Sequence, residues 1–256
     1  MMQAFNDHFT AVATSYAGFR PTYPAALFAW LAQIAPDTNL AWDCATGSGQ
    51  AARDLAAHFN RVVATDASTA QIAAAQAHPQ IDYRVAAAEA SGLANTSVDL
   101  ITVAQALHWF DHDAFYAEVR RVLKPGGVLA VWTYGVFSVE GETINDCTNA
   151  FYQDTVGPFW PPERKHVESG YRTLAFPFSA IQTPQFIMET AWTLAELLGY
   201  LRSWSATGHY IAAHGIDPVD ALEKELAPLW GDAQRTRHVS WPLSVRAGRV
   251  GELHNY

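Results

Sequence analysis

Apolar and polar positions along the chain follow two periods, and between residues 40 and 133 the periods take turns. Short apolar or β-branched runs at 40–44, 61–66, 81–86, 98–104 and 128–133 read as strands. Between them lie stretches with helical spacing. Residues 50–58 follow Gly47 and Gly49. The Ala-rich stretch 69–77 is stopped by His78-Pro79, and 111–123 places Phe115, Val119 and Val122 on one side. Lys124-Pro-Gly-Gly127 reads as a turn into the fifth strand. Upstream, a helix from Pro24 carries Leu27, Trp30, Leu31 and Ile34 at helical spacing. Downstream the pattern loosens. It predicts helices over 143–156, 194–204 and 218–230, a stiff aromatic loop at 157–162, and strands over 186–193 and 238–250.

Strand–helix alternation at this spacing means βαβ units, hence a parallel α/β sheet with helices on both faces. Ligands of such sheets bind beyond the carboxyl ends of the strands, so the residues just after each strand are the ones to inspect. No repeat, low-complexity tract or flexible linker interrupts the chain. The later helices are expected to insert between the last two strands and cover the site.

With 256 residues, half of them hydrophobic, the chain can bury one substantial core with an elaboration. The net charge of −9, with no run of Lys or Arg, argues against nucleic acid as a partner. The first residues lack a basic start followed by an apolar stretch, and no segment approaches the ~20 apolar residues of a membrane span. A cytoplasmic protein with two reduced thiols, Cys44 and Cys147, and no metal site is the expectation. Nine Trp and ten Tyr, many after residue 130, point to core packing or an aromatic-lined pocket there.

Two strand ends carry chemistry. Asp43-Cys-Ala-Thr-Gly-Ser-Gly49 offers small residues that let backbone approach a ligand, followed by a helix with free N–H groups. Gly47-x-Gly49-x-x-Ala52 also satisfies a dinucleotide fingerprint. Asp66 can accept both hydroxyls of a ribose or cap the next helix. Together they read as a nucleoside site without choosing the nucleoside. Asp43 tilts the choice, because an acid suits an ammonium group and repels a pyrophosphate. Gln105-Ala-Leu-His108-Trp109-Phe110 follows the fourth strand, at the expected mouth of the site.

The set Asp43 to Gly49, Ala88-Glu89, Ala104 to Asp111 and Arg121-Val-Leu-Lys-Pro-Gly-Gly127 resembles a class I S-adenosylmethionine-dependent methyltransferase. Within that class, Tyr16-x-x-x-Arg20-Pro-x-Tyr23-Pro24 and Leu198-Gly-Tyr-Leu-Arg-Ser-Trp-Ser205 resemble the trans-aconitate methyltransferase-like group. The resemblance runs from about residue 5 to 250. It implies a Rossmann-like, mostly parallel seven-stranded sheet with an antiparallel last strand and a helical cover. It implies a single domain over 1–256, with a donor-binding core at about 36–135 and covering elements at about 1–24 and 136–235.

It also implies roles. Asp43, Ala45, Thr46, Gly47 and Gly49 would hold the methionine end and backbone of S-adenosylmethionine. Asp66 and Ala67 would meet the ribose, and Ala88 and Glu89 the adenine. Gln105 and His108 would lie near the sulfonium and the acceptor as catalytic groups. Tyr16, Arg20 and Tyr23 would close over the donor. Trp109, Tyr134, Trp160 and Trp204 are candidates for the acceptor pocket wall. Arg202, Arg164 and Lys165 are candidate cations for a carboxylate acceptor. Two positions depart from the class pattern: Ala45 stands where glycine is usual, and Ala87 where an Asp often meets the adenine amine.

The expected reaction is methylation of a small molecule, with carboxylate O-methylation first. Phenolic or quinone-type acceptors, an NAD-dependent oxidoreductase and a silent donor-binding protein are the alternatives. A carboxylate of pKa ~4 needs no base at neutral pH, whereas a phenol or acidic carbon would call on His108. The chain is expected to be a monomer or homodimer.

Overall fold

Every strand forecast in the first half is present in the computed structural model, which describes residues 21–251. Strands β1 (Leu40–Cys44), β2 (Arg61–Asp66), β3 (Ile81–Val85), β4 (Val98–Ala104) and β5 (Leu123–Tyr134) lie in the order 3-2-1-4-5, all parallel. Helices α1 (Ala25–Ile34), α2 (Gln50–Ala56), α3 (Thr69–Ala74) and α4 (His112–Val122) accompany them.

There follow β6 (Ser138–Val139), α5 (Glu142–Ala150), α6 (Arg164–Glu168), β7 (Ser179–Ile181) and β8 (Phe186–Trp192). Helices α7 (Leu194–Arg202), α8 (Ser205–His214) and α9 (Val219–Trp230) precede the last strand, β9 (Arg237–Arg249). β9 runs antiparallel to β5, from Val128↔Arg249 to Tyr134↔Leu243. β8 also pairs with β9, which completes the expected Rossmann-like seven-stranded arrangement. The short β6 and β7 are further partners of β9.

β4 is buried from Val98 to Val103 because helices cover both of its faces, so its sequence is an apolar run rather than an alternation. On one face Trp42, Ile101, Val103, Leu129 and Val131 share a core with Phe115, Val119 and Val122 of α4. Each such side chain contributes roughly 1.5–3 kcal/mol by leaving water. Asp111 caps α4 by accepting from the Ala114 N–H.

The expected turn at 124–127 is a bulge inside β5: Val98 pairs with Leu123, and Leu100 next pairs with Val128. Lys124 uses that bulge to reach Asp99, Nζ to Oδ1 at 2.6 Å. The other Asp99 oxygen accepts from the N–H groups of Asn39 and Leu40.

The later helices differ more from expectation. The stretch 143–156 divides into α5 and a π turn at Phe151–Thr155. The 194–204 helix stops at Arg202, and α8, to which the periodicity assigns no element, begins at Ser205. Among its residues only Ala206 and Thr207 are buried, so it carries no apolar stripe to detect.

The chain packs as two units. The sheet unit gathers Tyr23–Gly135, Lys165–Ile187 and the chain from Leu243. The aromatic unit gathers Val136–Arg164 and Met188–Pro242. Its core is built of rings: Trp241 stands 5.1 Å from Trp192 and 5.6 Å from Tyr200, to whose hydroxyl it donates at 3.1 Å. Phe137 and Trp204 join the same cluster. Among the described residues no helix is long and apolar enough to cross a membrane, and no group of three His, Cys, Asp or Glu could hold a metal ion.

Candidate functional site

After β1 the backbone turns left-handed three times in five residues, at Ala45 (φ 55°), Gly47 (58°) and Gly49 (88°). Gly49 begins α2, and a Cβ there would overlap the Tyr83 hydroxyl and lie 2.8 Å from its ring. Only glycine fits. Ala45 adopts the same region at some strain, of order 1 kcal/mol, which a glycine would avoid. A Cβ on Gly47 would meet nothing nearer than Gln71 Oε1 at 3.7 Å, so the loop is open to close approach there.

Asp66 ends β2 and ties this loop down. Its Oδ2 accepts from the Gly47 N–H at 2.9 Å, and its Oδ1 accepts from the Ser68 N–H at 2.8 Å. The Thr46 N–H donates to the Thr65 carbonyl at 2.9 Å. The Ser68 side chain, not Asp66, caps α3. Asp66 is thus a loop-organising carboxylate at the strand end, and Ala67 follows it.

Asp43 is 1% exposed. Thr46 donates to one of its oxygens at 2.5 Å and Thr102 to the other at 2.7 Å. Burial pushes its carboxyl up to about 6, against the pull of the two hydroxyls. The expected direct partner of an ammonium group is therefore a buried brace between β1, β4 and the loop. Cys44, beside it, has its thiol pushed up by burial and by the Asp43 charge, which leaves it a packing residue.

β3 leads to the stretch holding Ala88 and Glu89. The Ala86 N–H donates to the Asp66 carbonyl at 3.0 Å, which sets this stretch beside the end of β2. Further on, Ser91 donates twice to Glu118 Oε1, from N–H at 2.9 Å and from Oγ at 2.5 Å. Arg121 grips the same carboxylate from the other side. These bonds hold the Glu118 carboxyl down to about 2.

β4 ends in another left-handed residue, Gln105 (φ 60°). Its amide is clamped: Oε1 accepts from Thr133 Oγ1 at 2.7 Å, and Nε2 donates to the Tyr134 carbonyl at 3.2 Å. A 3₁₀ turn, Leu107–Trp109, then presents His108. His108 Nδ1 lies 2.9 Å from Tyr171 Oη. Tyr171 is fully buried and left-handed, and Arg246 grips its carbonyl. Sequence reasoning missed Tyr171, and nothing in the spacing of 108 and 171 could have paired them. Trp109 is 41% exposed and 4.7 Å from the His108 ring. Tyr23 packs edge-on against Trp132 at 5.5 Å and lies 6.4 Å from Tyr134.

The sheet unit therefore brings together Asp43, Ala45, Thr46, Gly47, Gly49, Asp66, Ala67, Ala88, Glu89, Gln105, His108, Trp109 and Tyr134 at the carboxyl ends of neighbouring parallel strands and just beyond them. The aromatic unit holds Trp160, Trp204 and Arg202. Trp160 and Trp204 are 5.4 Å apart. Arg202 is committed to Asp217, Asp220 and Glu223, so its charge is already balanced within its own unit. Lys165 is exposed. Tyr16 and Arg20 lie outside the described residues.

Comparison with known proteins agrees with this geometry. The methyltransferase-domain family matches residues 42–131, from β1 into β5. A Dictyostelium discoideum protein named as a methyltransferase is 34% identical over 225 residues, covering 87% of this chain and 86% of that one. An uncharacterized methyltransferase of Mycobacterium tuberculosis is 36% identical over 178 residues, 69% of this chain and 68% of its own. A solved type II methyltransferase from Anaeromyxobacter dehalogenans is 46% identical, with a TM-score of 0.87 over 91% of this chain and 99% of that one.

Proposed function

The chain belongs to the S-adenosylmethionine-dependent methyltransferase family, and we propose that it O-methylates a small carboxylic acid of the trans-aconitate type. The donor supplies an electrophilic methyl group, so the protein's work is to hold, align and exclude water. In this reading Asp66, with Ala67, receives the ribose hydroxyls. The open backbone at Ala45, Thr46, Gly47 and Gly49 receives the methionine part, and Asp43 braces that loop from within. Ala88 and Glu89 face the adenine, through backbone groups where Ala87 offers no carboxylate. Gln105, with its amide held on both sides, fixes the backbone where β4 opens toward the reacting groups. The fit rests on the space over Gly47 and on the fixed carboxylate of Asp66.

The observation that carries the carboxylate reading is the likeness of Leu198-Gly-Tyr-Leu-Arg-Ser-Trp-Ser205 to the trans-aconitate methyltransferase-like group. The Tyr171 hydroxyl, 2.9 Å from His108 Nδ1, orients that ring. An ionised carboxylate needs no base from it. Methylation of a phenolic or quinone-type acceptor, with His108 taking the proton, is the second reading. Its support is the same ring at the same strand end.

The test is a donor with a labelled methyl group, offered with small di- and tricarboxylic acids, trans-aconitate first, and with phenols. Calorimetric titration with S-adenosylhomocysteine runs alongside. One-site binding and an alkali-labile methyl ester are expected. Transfer confined to phenols or hydroquinones would replace the first reading with the second.

A further inference from the structure

We infer that Arg164, seated on Trp160 and Tyr152, is the receptor for a planar carboxylate of a small organic anion. The site lies wholly within the aromatic unit. The guanidinium carbon stands 4.3 Å over the Trp160 ring and 5.5 Å from the Tyr152 ring. Its Nε donates to Tyr152 Oη at 3.0 Å. Trp160, Tyr152 and Trp204 surround one another at 5.4 to 5.7 Å, so the platform is a packed triad of rings.

Two groups of this assembly are left incomplete. No carboxylate of the described residues comes within ion-pairing distance of Arg164, while Arg202 in the same unit has three. Trp160 Nε1 is buried with no hydrogen-bond partner among the described residues, an arrangement that an incoming acceptor would relieve. A guanidinium stacked on one face and anchored at Nε has its in-plane Nη1/Nη2 edge left. That fork matches the two oxygens of a carboxylate better than the tetrahedral oxygens of a phosphate. Stacking keeps it pre-organised, so little side-chain freedom is lost on binding. The inference rests on the small-carboxylate reading only for the identity of the ligand.

The experiment is calorimetric titration of the full chain with tricarballylate. It compares wild type, Arg164→Gln, Arg164→Lys and Trp160→Phe, with S-adenosylhomocysteine titrated into each as a control for folding and for the donor site. Arg164→Gln should weaken tricarballylate about 10- to 100-fold, as expected for loss of a charge-assisted bidentate pair. Arg164→Lys should recover only part of that, lacking the fork and the stacking. Trp160→Phe, which keeps a ring but removes the indole N–H, should weaken binding several-fold. Donor-analogue affinity should stay unchanged throughout. Equal tricarballylate affinity in wild type and Arg164→Gln, or no saturable binding by wild type up to about 10 mM, would overturn the inference. Inorganic phosphate binding as tightly as tricarballylate would overturn the planar-carboxylate assignment. Intact tricarballylate binding without any methyl ester formed would instead count against the methyl-acceptor reading alone.

Discussion

Asp43 is a carboxylate whose environment works against its charge. Burial raises its carboxyl from 3.8 to about 6, so in the folded chain the ionised form is disfavoured relative to the unfolded chain. The penalty is full above about pH 6, shrinks as pH falls toward 3.8, and is gone below it. A shift of about two pKa units corresponds to roughly 3 kcal/mol. Asp43→Asn keeps a carbonyl for the Thr102 hydroxyl and carries no charge. It should therefore raise stability by about 1–3 kcal/mol near pH 8, with the gain vanishing near pH 4. Urea midpoints at the two pH values measure this, and a variant less stable near pH 8 would show that the two hydroxyl bonds outweigh burial. His108 permits a kinetic prediction at the same scale. With a carboxylic acid as acceptor, His108→Ala should keep kcat within about tenfold of wild type. A loss of ~10²–10⁴, with a flattened acid limb in the pH–rate profile, would instead mark a general base and a more weakly acidic acceptor.

Among the elements, β4 and β5 are joined by one ion pair in addition to their ladder and shared core. Asp99 is wholly buried, and its charge is matched by Lys124 from the bulge of β5, while two N–H groups at the start of β1 fill its other oxygen. Lys124→Met should cost about 3–5 kcal/mol, because it strands a buried carboxylate. Asp99→Asn in the same chain should return a large part of that loss. The check is a double-mutant cycle on chemical unfolding, and additive effects would show the two side chains to be uncoupled. The sequence announces the residues of this bulge, Lys-Pro-Gly-Gly, as a turn, but not their partner. Legibility follows the same division elsewhere. β1 to β5 and α4 could be read because each is long enough for its period and buried against one environment. α8 could not, since it has no apolar stripe, and β6 and β7 are too short to show a period. The strand-end residues of the candidate site were legible because βαβ topology dictates where they lie. Tyr171 behind His108, the Thr102 hydroxyl on Asp43 and the acids around Arg202 are meetings of residues well separated in sequence, and only the folded chain supplies them.

For the whole molecule, a ligand that binds only the folded chain stabilises it by mass action. S-adenosylhomocysteine at about a hundredfold over its dissociation constant should add roughly 2.7 kcal/mol. For a chain of this length that corresponds to a rise in Tm of about 5–10 °C. Asp66 separates ligand linkage from architecture. Its carboxylate already accepts from Gly47 and Ser68, so Asp66→Asn weakens the loop's tether and should lower the Tm of the free protein by a few degrees at most. The amide offers one acceptor oxygen where the carboxylate offers two, and its NH₂ opposes a donor. Two ribose hydroxyls can no longer both be satisfied, and most of the ligand-induced rise should disappear. A thermal-shift titration of both proteins decides the point. If Asp66→Asn keeps the full rise, Asp66 only organises the loop, and the ribose is held by other groups at the strand ends. If the rise is lost while the free Tm barely moves, the carboxylate at the end of β2 contacts the donor directly.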